Sequence, residues 1–228
     1  MEQMDIEIFD CQQGTPEWRE CRRGIPTASA FHMMLAGGQG KTRRKYLLEL
    51  IGEQLTGLPA DSFSNAHTER GHILEGEARD IVSFDYAEPM RQVGFVRRWI
   101  PGTGLVGCSP DSLIGDDGML EIKTKLPHLQ LEVLIENRLP PEHVPQCQGA
   151  LWVTKRKWLD FISYWPGLAL FKTRVFPDQE YFAKLHAGLA TFQAEMQECL
   201  ANLPKAPTIV IPRKPIAIDP RTEFKPLE

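Results

Sequence analysis

The chain has five cysteines (Cys11, Cys21, Cys108, Cys147 and Cys199), odd in number and scattered, with no Cys-x-x-Cys pair. That spacing argues against a disulfide framework and against a zinc or iron–sulfur site. No apolar run is long enough to span a membrane, and there is no internal repeat or low-complexity block. The opening Met1-Glu2-Gln3-Met4-Asp5 lacks the basic-then-apolar layout of a signal peptide, so the cytoplasm is the expected compartment. The six histidines show no paired metal-ligand spacing; His72 and His143 read as satisfied or surface residues. No Ser-His-Asp grouping and no dinucleotide glycine fingerprint is present. Gly37-Gly38-Gln39-Gly40-Lys41-Thr42 has neither the spacing nor the preceding strand of a phosphate loop.

Positive charge is not in excess either. Lys and Arg number 26 against 30 Asp and Glu, a net charge of −4 that argues against indiscriminate coating of nucleic acid. Cations do cluster: Arg19, Arg22 and Arg23; Lys41, Arg43, Arg44 and Lys45; Arg97 and Arg98; Lys155, Arg156 and Lys157. Each cluster is either a solvated face or part of a channel.

At 228 residues the chain fits one α/β domain, expected over 1–203. Helices are expected at Thr15–Arg23 (Thr15 as N-cap, Pro16 in the first turn), from Thr27-Ala28-Ser29 to Gly37-Gly38, and at Lys41–Thr56 with Gly57 as the stop. A further amphipathic helix, Glu69–Ala87, turns Ile73, Leu74, Ala78, Ile81 and Val82 inward, and Leu55 is placed inward on the helix before it. Strands follow at Arg91–Ile100, Gly104–Gly107 and Met119–Thr124, then helices at His128–Asn137 and Pro141–Val153. Lys157–Trp165 and Leu170–Val175 read as strands and Tyr181–Leu203 as the last helix. The order predicts an α/β (α+β) fold, a central mixed β-sheet flanked by helices. The tail 204–228, with six prolines, reads as an extended arm or a disordered tail.

The chemistry concentrates at Ser109-Pro110-Asp111 and, ten positions on, Glu121-Ile122-Lys123. On a strand Glu121 and Lys123 share a face while Leu120 and Ile122 point into a core. Asp111, ending the strand Gly104–Gly107, reaches the same point if that strand pairs with the next through Gly115-Asp116-Asp117-Gly118. Hard carboxylate oxygens suit Mg²⁺, and a neighbouring ammonium suits a developing anion. The alternative is a surface hairpin with ordinary charges; a second Glu-x-Lys, Glu223-Phe224-Lys225, lies in the proline-rich tail with no strand to hold it.

Further blocks surround this motif. Trp18-Arg19-x-x-Arg22-x-Gly24-Ile25-x-Thr27-Ala28-Ser29 is followed by Gly71-x-x-x-Glu75-x-x-Ala78 and Gly107-x-Ser109-Pro110-Asp111-x-Leu113. Leu120-Glu121-Ile122-Lys123 and Gln146-x-Gln148-x-x-Leu151-Trp152-Val153 complete the series. In this order, over roughly two thirds of the chain, they resemble the phage λ exonuclease family, the YqaJ-type viral recombinases, a branch of the PD-(D/E)xK nucleases. Ser112 stands where that family usually has glycine, and Thr124-Lys125 where it often has Cys-Pro.

The resemblance implies a restriction-endonuclease-like core and an Mg²⁺-dependent 5′→3′ exonuclease on linear double-stranded DNA. It implies two ions, with Mn²⁺ able to substitute, held by Asp111, Glu121, the Ile122 backbone carbonyl and Glu75, the last directly or through water. Lys123 would act on the attacking water, and Arg22, Ser29, Ser109 and Gln146 would hold a terminal 5′-phosphate, with Gln148 supporting. Products would be mononucleotides and a 3′ single-stranded overhang. A ring-shaped homotrimer, a phage-encoded single-strand annealing protein as partner, and a phage or prophage origin in a bacterial host belong to the same expectation. The rivals are a site-specific or structure-specific endonuclease on the same core and a catalytically silent DNA-end-binding module.

Overall fold

The computed structural model describes residues 5–37, 40–59 and 66–204, the side chains of 66–69 excepted. Apart from Pro204, the proline-rich arm lies outside the described residues, as does Gly38. Two sheets organise the chain. Ile6–Phe9 (β1), Phe95–Ile100 (β3) and Gly104–Cys108 (β4) form an antiparallel sheet in the order β1-β3-β4. Met90–Arg91 (β2), Ser112–Ile114 (β5), Gly118–Thr124 (β6), Trp158–Tyr164 (β7) and Phe171–Val175 (β8) form a mixed five-stranded sheet in the order β2-β5-β6-β7-β8. Within this sheet β6 and β7 are the parallel pair, Glu121 opposite Phe161 and Lys123 opposite Ser163. A parallel pair needs a long crossover, which is supplied by helices Pro127–Glu136 (α5) and Val144–Thr154 (α6).

The remaining helices are Pro16–Arg22 (α1), Phe31–Met34 (α2), Lys41–Thr56 (α3), Ala66–Ser83 (α4) and Gln179–Ala201 (α7). The Thr15 hydroxyl caps α1 by accepting from the Trp18 N–H, with Pro16 in the first turn. Gly57 ends α3 in the left-handed conformation at φ 66°. The pleat of β6 splits the core. Leu120 and Ile122 pack with Ile162 against Ala78 and Val82 of α4. Met119 and Phe161 join the larger core with Phe31, Leu151, Leu185 and Phe192.

Several expectations change. The lead-in contains a strand, β1, held by pairing with β3 rather than by a strong pattern of its own. Arg91–Ile100 is not one strand: it breaks after Arg91 into β2 and β3, which belong to different sheets. Gly94 sits at this crossing because a Cβ there would stand 2.3 Å from the Cys11 carbonyl oxygen. The strand ending before Asp111 does not pair with β6. Pro110 lacks an N–H, the chain leaves the first sheet at Ser109-Pro110, and Asp111 N–H then bonds Leu120 O at 3.1 Å. Asp111 therefore reaches β6 through the short β5 hairpin. Thr27–Ser29 opens a 3-10 turn, Ala28–Ala30, continued only to Met34. Ile73, Ile81 and Leu55 face outward, at 61%, 49% and 60% exposure, because the inner row of α4 is Leu74, Ala78 and Val82 and that of α3 is Leu47, Leu50 and Ile51.

One buried polar cluster clamps the sheet edge. Asp160 on β7 is fully buried, accepts from Arg174 Nε at 2.7 Å and Nη2 at 2.8 Å, and accepts from Tyr86 Oη at 2.7 Å. Arg174 in turn lies 3.8 Å from the Trp158 ring centroid. Substituting Asp160→Ala strands these partners. We expect a loss of about 2–4 kcal/mol in denaturant unfolding, somewhat below a fully buried pair because Arg174 is partly exposed.

Candidate active site

Six chain segments converge on one cavity of about 200 Å³. Its walls include Arg22 from α1, Ser29 from the 3-10 turn, Glu75 from α4, Ser109 and Asp111 after β4, Glu121, Ile122 and Lys123 from β6, and Gln146 from α6. The fold brings them together for local reasons. Gly24, at φ +67°, turns the chain out of α1 and passes so close to α3 that a Cβ would stand 2.6 Å from Gln54 Cγ. Thr27 N–H then bonds Tyr46 Oη of α3 at 3.0 Å, and Gly107 N–H bonds Pro26 O at 3.0 Å, laying the Ser29 turn beside β4. Gly149 lets α6 press on Phe31, since a Cβ there would meet its ring at 2.5 Å.

The carboxylates are crowded. Asp111 accepts from the Ile122 N–H, and Glu121 accepts from the Gln146 amide. Lys123 Nζ stands 2.7 Å from Glu121 Oε1, whose side chain is 4% exposed. Burial and the charges of Glu121 and Glu75 push the Asp111 carboxyl well above its ordinary range. Burial also raises Glu121, against the pull of Lys123. For Lys123 burial works against the charge, but Glu121 and Asp111 outweigh it and hold the ammonium form. Such a donor set of hard oxygens with surplus negative charge fits a divalent cation. Among the described residues no three acidic, His or Cys side chains already converge as a preformed ligand cage. Glu121 is paired with Lys123, and Glu75 with Arg79 Nη2 at 2.5 Å.

Trp18, which opens the first sequence block, had no role assigned to it from the sequence. Its Nε1 donates to Ser109 Oγ at 2.8 Å and to Gly94 O at 3.0 Å. The Arg22 guanidinium carbon lies 4.2 Å from its ring centroid, and burial lowers the Arg22 pKa. One indole thus fixes two phosphate-pocket candidates; the Trp18–Arg22 spacing of one helical turn was the available signal. Gln13 also lines the cavity and bridges Val93 O and Pro110 O at 3.2 and 3.1 Å, with no sequence cue beyond its position.

Gln148 does not enter the cavity. It is buried on the far side of α6, where its amide donates to Phe176 O at 2.9 Å and accepts from Asp178 N–H at 3.0 Å, while Trp152 is core. Several cationic clusters are likewise structural. Arg43 pairs with Glu195, Arg97 with Glu7, Arg98 and Lys155 with Asp5, and Lys157 with Asp117. Arg156 Nη1 donates to the carbonyls of Ile114, Gly115 and Gly118 at 3.3, 2.9 and 2.6 Å. A wider cavity of about 700 Å³ between α3 and α7 holds none of the motif residues.

A mixed sheet that presents Asp111, Glu121 and Lys123 on one side, with a glutamate arriving from a flanking helix, is the core of the PD-(D/E)xK fold. Residues 17–157 match the YqaJ-like viral recombinase domain, and the chain belongs to that family. It is similar to the alkaline exonuclease LHK-Exo of Laribacter hongkongensis at 31% identity, covering 82% of this chain and 95% of that one with a TM-score of 0.73. A structure of LHK-Exo with dAMP matches at 32% identity, the same coverage and a TM-score of 0.74. A phage-related exonuclease from Haemophilus somnus 129PT shares the fold at 13% identity and a TM-score of 0.55, covering 78% of this chain and 95% of that one. No curated protein matches the chain. No helix among the described residues is long and apolar enough to cross a membrane.

His143, the last residue of the 3-10 turn Pro141–His143 that leads into α6, does not line the cavity; its ring stacks on Phe161 with centroids 5.1 Å apart. Burial, aided by the Lys125 and Lys123 charges, pushes the imidazole down to about 4. The folded value is lower than the unfolded one, so the unfolded chain takes up the proton first. Its contribution is full above about pH 6.5 and is lost as pH falls toward 4. Unfolding free energy should drop by about 2–3 kcal/mol across that window. His143→Phe, which keeps the stack, should flatten that part of the curve.

Proposed function

We infer that this chain is a metal-dependent 5′→3′ exonuclease acting on linear double-stranded DNA. It releases mononucleotides and leaves a 3′ single-stranded overhang. The observation that carries the reading is the single cavity that carboxylates Glu75, Asp111 and Glu121 share with Lys123, Arg22, Ser29, Ser109 and Gln146. An Arg fork and hydroxyl donors on one wall suit a terminal phosphate, and hard oxygens on the other suit the cation. Family membership and the likeness to an alkaline exonuclease at 31% identity support the same chemistry, and the dAMP held by that relative is a nucleotide of the kind a mononucleotide product would be.

In this reading Asp111, Glu121, the Ile122 carbonyl and Glu75 hold two Mg²⁺, with Mn²⁺ able to replace them. Such ions, when bound, stabilise the attacking and leaving oxygens of an in-line displacement. The Lys123 ammonium orients the attacking water and offsets charge developing on the phosphoryl oxygens. Arg22 and the Ser29 and Ser109 hydroxyls bind the 5′-phosphate left by the previous cut, which places the next bond beside the carboxylates. Gln146 ties that pocket to the metal wall, since its amide already donates to Glu121. Gln148 supports the site indirectly, by fixing α6 to the start of α7. A ring-shaped homotrimer around the duplex, a phage-encoded annealing partner and work in the cytoplasm of a bacterial host rest on the family alone.

The deciding assay digests linear duplexes carrying a 5′-phosphate or a 5′-hydroxyl, with Mg²⁺ or with EDTA, beside a closed circle. We expect Mg²⁺-dependent loss of the phosphorylated strand from its 5′ end with the circle spared. Lys123→Ala should lower the rate about 10²–10⁴-fold. Cutting of the circle would make the protein an endonuclease, and binding without cutting an end-binding module. Trp18→Phe keeps an aromatic face under Arg22 and removes the donor to Ser109. It should raise KM for phosphorylated ends about tenfold, the cost of about 1.4 kcal/mol of binding, with kcat unchanged.

A further inference from the structure

The carboxylate cluster has a second side. Glu75 and Asp111 also line a neighbouring cavity of about 530 Å³, with Asp10, Gln13, His72, Arg79 and Gln92 among its walls. On that side Glu75 is gripped. Arg79, one helical turn on, donates Nη2 to Glu75 Oε1 at 2.5 Å, while Glu75 Oε2 lies 3.9 Å from His72 Nδ1. Arg79 is itself fixed from outside the helix. The Gln92 amide oxygen, in the orientation that satisfies both of its ends, accepts from Arg79 Nη1 at 2.5 Å, Nε at 3.0 Å and Nη2 at 3.3 Å. Gln92 belongs to the segment joining β2 to β3, which is continuous with Val93, whose carbonyl holds Gln13, and Gln13 holds the turn before Asp111.

An ordinary Glu–Arg pair at this spacing steadies an exposed helix by a few tenths of a kcal/mol and needs no third partner. This pair differs in two ways. Arg79 and Glu75 are only 17% and 23% exposed, and the fork of Arg79 spans a helix and a loop of different sequence origin. A glutamate has three rotatable bonds, and freezing them on ion binding weakens the ion. Held beforehand at one oxygen, the carboxylate keeps lone pairs on the other for a ligand.

We propose that Arg79, braced by Gln92, is the positioning residue that orients Glu75 for a divalent cation shared with Asp111 and Glu121. The proposal rests on the metal reading of those carboxylates. It assigns the cation site an outer wall drawn from α4 and the β2–β3 segment.

Mn²⁺ binding, read by calorimetry on the full chain without DNA, tests it. The wild type should bind Mn²⁺. Arg79→Ala and Gln92→Ala should each weaken the looser ion, Arg79→Ala by about tenfold. Glu75→Ala should do the same, and the Glu75→Ala/Arg79→Ala double variant should lose no more than Glu75→Ala alone, because one residue acts through the other. Arg79→Lys, which keeps the charge without the fork, should recover only part of the affinity. Unchanged Mn²⁺ affinity in Arg79→Ala overturns the proposal, as do losses that multiply in the double variant or full recovery by Arg79→Lys. A wild type that binds no Mn²⁺ overturns the metal reading itself, which separates the two failures. Thermal midpoints measured without metal accompany each variant, and a loss of affinity explained by a matching loss of folded protein also overturns it.

Discussion

Leu120 and Ile122 are buried beneath Ala78 and Val82 of α4, and that burial sets the direction of everything beside them on β6. Strand side chains alternate, so Glu121 and Lys123 have no choice but the opposite face. There they meet α6, which delivers Gln146, and the turn before β5, which delivers Asp111. Hydrophobic packing on one side of a strand thus compels a charged arrangement on the other. The cost of crowding carboxylates in a partly enclosed place is visible in the raised pKa of the Asp111 and Glu121 carboxyls, which burial makes harder to ionise.

The opposite wall of the cavity is built from contacts distant in sequence. Trp18 spans to Ser109 and Gly94, Gln13 to Val93 and Pro110, and Tyr46 to Thr27. None of these side chains belongs to the acidic motif, yet each fixes a backbone segment from which a motif residue projects. Shape on this side comes from polar cross-links added to the apolar packing of Ala28, Ala30 and Phe31. Their donors and acceptors are satisfied inside the protein, which leaves Arg22 and the Ser109 hydroxyl hydrogen to face the cavity.

Much of this was legible in the sequence. Helix α3 kept its expected limits because Gly57 supplies the left-handed stop, and α1 its Thr15 cap because that hydroxyl has a backbone N–H to satisfy. The period of two over Leu120-Glu121-Ile122-Lys123 told apart the α4-facing and cavity faces of β6, since apolar and charged residues alternate there. Asp111 was harder. The expected partner of β6 was β4, but β4 joins another sheet, and the pairing strand β5 is only Ser112–Ile114, too short to show a pattern. Tertiary contacts also hid Gln148, which shares a helix with Gln146 yet faces the start of α7. Helix α4 was misread at Ile73 and Ile81 because apolar residues cover more than one of its faces, and periodicity then cannot say which face meets the sheet.

The guanidinium of Arg156, seated on the carbonyls of Ile114, Gly115 and Gly118, acquires a meaning in this light. The strand β5 pairs with β6 only over Ser112–Ile114, so little in the ladder itself fixes its register, and a slide by one residue would carry Asp111 out of step with Glu121 and Lys123. By gripping the turn at three points from just before β7, Arg156 ties β5 to the strand that β7 already holds in register. It does not line the cavity, yet it steadies the hairpin by which Asp111 approaches Glu121 and Lys123.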